Sequence, residues 1–229
     1  VKGEREVMNQ FDTAIARSGE QVLATNKVLK NTYMLLAATL AFSAVTAMVS
    51  LFLAVPSWTY LVTVIGAMLM GIFVLPRTAN SAAGIGVIFA ITGLLGFGLG
   101  AILQLYLSLP KGPQIIATAF GGTGVIFLGL SGYALTSRRD FSFMGGFLFA
   151  GMIAVLVAIV ANIFFEMPAL SLAISGAIIL LMSGMILWDT SRIINGGETN
   201  YIMATYGIYL SIFNIFISLL HILGVMSDE

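Results

Sequence analysis

The chain has 229 residues, of which 59% are hydrophobic and only 9% charged, with ten basic and ten acidic side chains and a net charge of zero. Soluble domains carry about 25% charged residues, so most of this chain must have lipid as its solvent. The neutral balance argues against a nucleic-acid partner, the lack of cysteine excludes disulfides and thiolate chemistry, and the single histidine excludes any site needing two imidazoles.

In chain order, a polar segment over residues 1–30 comes first, with Lys2, Arg5, Arg17, Lys27 and Lys30 among its charges. Residues 1–17 lack apolar periodicity and are expected to be flexible. Ser18-Gly19-Glu20-Gln21 has the pattern of a capping box that starts a helix leading into the membrane. A spanning helix needs about 20 apolar residues. Seven such runs follow: Tyr33–Val55, Trp58–Leu75, Ala83–Leu107, Gln114–Leu135, Phe143–Phe165, Ala169–Ile194 and Tyr201–Val225. Proline, glycine and charge clusters separate them, the narrowest break being the two-residue turn Pro56-Ser57. The first run is too long, and too far behind its polar lead, for a signal peptide, and reads as an uncleaved anchor. The expected organisation is a tail over 1–30, a membrane domain over 31–226 and a short tail over 227–229.

Alternating the spans puts nine basic residues on one side and only Lys111 on the other. The positive-inside rule then predicts a cytoplasmic N-terminus and a C-terminus on the far side. Tyr33, Tyr133, Trp188 and Tyr201 fall at the inner interface, and Trp58, Tyr60 and Tyr106 at the outer one. Gly96 and Gly100 form a G-x-x-x-G pair, expected to serve close helix packing inside one bundle.

The seventh span carries Asn200, Ala204, Gly207, Ser211, Asn214, Ser218 and His221 at steps of three and four, a small and polar stripe on one helix face. Such a stripe is expensive against lipid, so this span should sit centrally, with its stripe turned to protein or to a wet cavity. Asp189 lies inside the sixth span, where a carboxylate costs about 2.5–3.5 kcal/mol at mid-bilayer. Its simplest partner is Arg192, three residues on, with Arg77 at the end of the second span as another cation in reach. Asp189, Ser211, Asn214, Arg77 and Arg192 are therefore the candidate ion or proton site, and Asp189 with Ser211 and Asn214 is a weak candidate ligand set for a hard cation such as Ca2+. His221 reads as a hydrogen-bonded packing residue. No acid–base pair, nucleophile elbow or metal cluster is present in the sequence, so neither catalysis nor a resident cofactor is expected.

Three stretches carry a resemblance: Trp188-Asp189-Thr190-Ser191-Arg192-Ile193-Ile194, Gly196-Gly197-Glu198-Thr199-Asn200-Tyr201-Ile202, and Leu210-Ser211-Ile212-Phe213-Asn214-Ile215-Phe216. They resemble the C-terminal signature of the Bax inhibitor-1 (TMBIM) family, and the likeness extends over about residues 22–226. It is closest to a bacterial branch of that family. The resemblance implies an all-α bundle of seven transmembrane helices around a central last helix, in the bacterial inner membrane. It implies a regulator that binds the FtsH AAA protease and its associated complex and restrains degradation of membrane proteins. The alternative it carries is a pH-sensitive calcium leak channel, whose latch pairs two intramembrane aspartates. Asp189 matches the first of these, but Ser211 stands where the second is expected.

Overall fold

A computed structural model of the chain describes residues 23–227. Seven helices among them are long and apolar enough to cross a membrane: α1 (Leu23–Phe52), α2 (Trp58–Thr78), α3 (Ala82–Leu107), α4 (Gly112–Ser137), α5 (Met144–Phe165), α6 (Pro168–Ile194) and α7 (Tyr201–Ser227). Lipid offers the backbone no hydrogen bonds, so each apolar run satisfies its own N–H and C=O groups by coiling. The protein is an all-α, seven-helix membrane bundle.

The breaks follow local chemistry. Pro56 stops α1, and the link it sits in runs over residues 53–57 with Ala54 at φ 49°, longer than the two-residue turn expected. Arg138 and Glu166 close α4 and α5 in the left-handed conformation. Gly196, at φ 74°, ends α6. Its N–H bonds the Ile193 carbonyl and the N–H of Gly197 bonds that of Arg192, the paired bonds of a Schellman cap. α1 is already helical at Leu23 and runs through Lys30 without a break. The flexible segment expected over 1–17 and the cap expected at Ser18 lie outside the described residues.

One feature of α2 was not anticipated. Met70–Val74 forms a π-helical turn, closed by the Leu75 N–H on the Met70 carbonyl. Pro76, which has no N–H to give, follows it directly, and proline is a common cause of such irregularity. Tyr206 of α7 packs against the bare Cα of Gly71 at this turn.

α7 is the centre of the bundle. It packs against α6, α4, α1 and α3, while α2 leans on α3 and α5 on α6. In the most apolar window of α7, 56% of residues are buried, against 6% in α5, which packs on α6 by one face and leaves the rest exposed. Ile202, Ile208, Tyr209 and Ile212 of α7 join Leu36 of α1, Ile88, Ile91 and Leu95 of α3 and Ile193 of α6 in the main core. Gly96 and Gly100 press α3 onto Ser43, Ala47 and Ser50 of α1, so that glycine pair works inside the bundle.

Candidate functional site

The polar groups of the interior concentrate along the seam between α6 and α7. Asp189, in the last third of α6, is 8% exposed, with Thr190 and Ser191 fully buried beside it. Its carboxylate lies on the backbone of α7 at Gly207, where a Cβ would come within 2.7 Å of Oδ2. Glycine is what lets the acid sit there. Oδ2 is buried and has no hydrogen-bond partner among the described residues.

The expected Asp189–Arg192 pair does not form. The Arg192 guanidinium stacks 4.5 Å from the Trp188 ring centroid and pairs with Glu198 at 3.3 Å. The Schellman cap folds the chain back over the last turn of α6, which delivers Glu198 to a cation that can stay at the interface. Meeting Asp189 would instead require desolvating the guanidinium. Arg77 is exposed at the end of α2 and makes no ion pair or hydrogen bond to Asp189 among the described residues. Asp189 is thus a lone buried acid, and no group of three acidic or imidazole side chains gathers anywhere among the described residues.

Nor do Ser211 and Asn214 converge on it. Ser211 Oγ donates to the Gly207 carbonyl at 3.1 Å, and Asn214 Nδ2 to the Leu210 carbonyl at 2.8 Å, both on their own helix. Asn214 sits two turns beyond Gly207, about 10 Å along the axis, whereas calcium ligands stand at about 2.3–2.6 Å. A shared ligand set of Asp189, Ser211 and Asn214 is not built here. Asn200 serves differently. Its Oδ1 accepts the N–H groups of Ile202 and Met203 as the cap of α7, and its Nδ2 donates to the Ala79 carbonyl and to Asn80 in the α2–α3 turn. At the other end of the stripe, His221 bonds Ser175 through Nδ1 at 2.8 Å and Ser171 through Nε2 at 3.3 Å, both on α6.

Several polar ties escaped the sequence reading. Ser43 of α1 donates to the Thr92 carbonyl of α3 at 2.7 Å and shares a 2.5 Å bond with Tyr209 of α7, joining three helices at mid-depth. Tyr33 of α1 bonds Ser131 of α4, which lies 3.5 Å from Thr190 of α6. Ser191 pins the α4–α5 loop, accepting from the Phe141 N–H at 2.9 Å and donating to the Arg139 carbonyl at 3.2 Å. Isolated serines and threonines in apolar runs are too common to single these out. Only the neighbouring D-T-S in α6 hints at a polar knot.

A family model described as "Inhibitor of apoptosis-promoting Bax1" matches residues 25–228, nearly the whole membrane domain. The chain belongs to this family. Within it, the Bax inhibitor chain is 53% identical over 208 residues to the Escherichia coli K12 protein named modulator of FtsH protease YccA, covering 91% of this chain and 94% of that relative. The same likeness holds to an E. coli O6:H1 protein named inner membrane protein YccA. An uncharacterised membrane protein of Vibrio cholerae is 50% identical over 210 residues, covering 92% of this chain and 94% of that one. An uncharacterised protein of Pseudomonas aeruginosa is 46% identical over 226 residues, 98% of this chain and 99% of its own.

Proposed function

We propose that this protein is an inner-membrane modulator of an FtsH-type membrane protease and has no catalytic role of its own. One observation carries the reading: the likeness to the E. coli modulator covers 91% of this chain and 94% of that one at 53% identity, so it is not confined to a shared segment. The bundle suits restraint of a protease that extracts helices from lipid, because its last helix is enclosed by four others. Pulling on α7 would expose Ser43, Tyr209 and Asp189 together. The expected orientation is N-terminus cytoplasmic and C-terminus periplasmic. The test is co-purification with FtsH from membranes, with the half-life of a second membrane substrate of the protease measured alongside. Overexpression should lengthen that half-life severalfold. Unchanged degradation with no co-purification would overturn the assignment.

The buried, unpartnered oxygen of Asp189 favours a second reading, a weak cation site or leak along the α6–α7 seam. Calcium flux in liposomes of the pure protein, lost in Asp189→Asn, would support it. Absence of flux would leave the protease reading alone.

A further inference from the structure

α4 and α5 are joined by the loop over residues 138–143 and both pack on α6, yet they form no interface with one another. A cleft therefore opens between them, with α6 as its floor. On α6, Leu181 and Gly184 touch Gly151 and Leu148 of α5, Asp189 faces α7, and Thr190 nears Ser131 of α4. At about 100° per residue, Leu180 falls on the remaining arc, between the α5 and α4 sides. It is 76% exposed, and Gly176, one turn away on the same arc, has nothing within 4 Å.

The loop closes one end of this cleft and is fixed to its floor. Ser191 of α6 holds the Phe141 N–H and the Arg139 carbonyl, and the Phe141 ring leans on Tyr133 of α4 with centroids 6.1 Å apart. Arg138 and Arg139 thus stand at the mouth of the cleft on a pinned backbone, both exposed and with no ion pair among the described residues. The acid beside them is turned elsewhere, since Asp140 accepts from the N–H and the hydroxyl of Ser142. Arg192, next to Ser191 on α6, is occupied by Trp188 and Glu198. From Ser191 to Leu180 the cleft runs about 16 Å along α6. That is the depth of one leaflet in a hydrocarbon core about 30 Å thick.

A slot one leaflet deep, headed by two free guanidinium groups, has the shape and charge to receive a phospholipid. A zwitterionic headgroup brings its own cation to the mouth, whereas an anionic one offers the guanidinium pair an uncompensated phosphate. We propose that the α4–α5 cleft binds one anionic phospholipid, its phosphate held by Arg138 and Arg139 and an acyl chain lying over Leu180. The site is separate from Asp189 and independent of any protease.

The test uses the full chain, stripped of lipid in mild detergent and titrated with phosphatidylglycerol or phosphatidylcholine, with bound lipid counted by native mass spectrometry. One phosphatidylglycerol should bind, and phosphatidylcholine should bind at least about fivefold more weakly. Arg138→Gln and Arg139→Gln should each weaken phosphatidylglycerol binding about fivefold. Arg77→Gln, exposed at the same end of the bundle but on α2, should leave it unchanged. Leu180→Trp, which fills the floor of the cleft and leaves both arginines in place, should weaken it severalfold. Equal affinity for the two lipids overturns the site. So does an Arg77→Gln loss as large as that of Arg139→Gln, because the general field of the basic end would then account for the binding. Should an arginine variant fail to insert, Leu180→Trp decides: a severalfold loss supports the site, and unchanged phosphatidylglycerol binding overturns it.

Discussion

At the scale of single residues, the contact between Asp189 and Gly207 leaves no room for a side chain at position 207. A methyl group at 207 would stand 2.7 Å from Oδ2 and 3.3 Å from Cγ of Asp189, closer than packed atoms tolerate. Overpacking of this kind costs about 1–3 kcal/mol. Gly207→Ala should therefore lower the thermal midpoint in detergent, and Gly207→Ala with Asp189→Ala should recover most of the loss, because the second change empties the space the first one fills. Equal midpoints for the wild type and Gly207→Ala would mean that α6 and α7 are not held this closely. Asp140, in the α4–α5 loop, makes a different prediction. The Ser142 hydroxyl and its N–H, the latter at 2.8 Å, hold the Asp140 carboxyl below the usual carboxylate range. A depressed acid contributes stability that is complete above its unfolded value, about 4, and is lost as pH falls through its lower folded value. The small stability difference between the wild type and Asp140→Asn should hold from neutral pH down to about 4 and vanish below. A difference that instead grew on acidification would show that the Ser142 bonds do not act on the charged form.

Among helices, the glycines sort by what they face. Gly100 meets Ser50 of α1, whose Cβ would be 2.6 Å from an added methyl, and Gly96 meets Ser43 and Thr46 at similar closeness. Gly121 and Gly129 of α4 have nothing within 4 Å. Gly100→Leu should cost about 3 kcal/mol or prevent folding, whereas Gly121→Leu, facing lipid, should stay within about 0.5 kcal/mol of wild type. Folded yield and thermal midpoints in detergent check both. Equal tolerance at the two positions would contradict the α1–α3 packing. The sequence could not separate these glycines, because a G-x-x-x-G spacing reports that a backbone can be approached and not which backbone approaches. The same limit explains Arg192. Its spacing to Asp189 is right for a pair within a helix, but Glu198 comes within reach only through the αL turn at Gly196, and the partner is set by that turn. By contrast, the seven spans and the central place of α7 were legible, since both follow from the length of apolar runs and from one polar stripe. The π turn at Met70–Val74 was not, although Pro76 marked the place.

For the molecule as a whole, the connections carry the remaining prediction. Asn200 bonds Ala79 and Asn80, and Ser191 bonds the backbone of the α4–α5 loop, so the α2–α3, α4–α5 and α6–α7 connections share one end of the bundle. That end holds Arg77, Arg138, Arg139 and Arg192, and the start of α1 adds Lys27 and Lys30 to it. The opposite end has Lys111 alone among the described basic residues. Cationic side chains stay on the cytoplasmic side during insertion, and a bias this large leaves little room for a mixed topology. Alkaline phosphatase forms its disulfides, and so becomes active, only outside the cytoplasm. Fused after residue 229 it should be active, and fused after Arg139 it should be inactive. Activity reversed in both fusions would invert the bundle and place the Asp189 end in the periplasm. An inactive C-terminal fusion beside an inactive Arg139 fusion would instead require an even number of crossings between the two points, with α5, α6 and α7 the spans to re-examine.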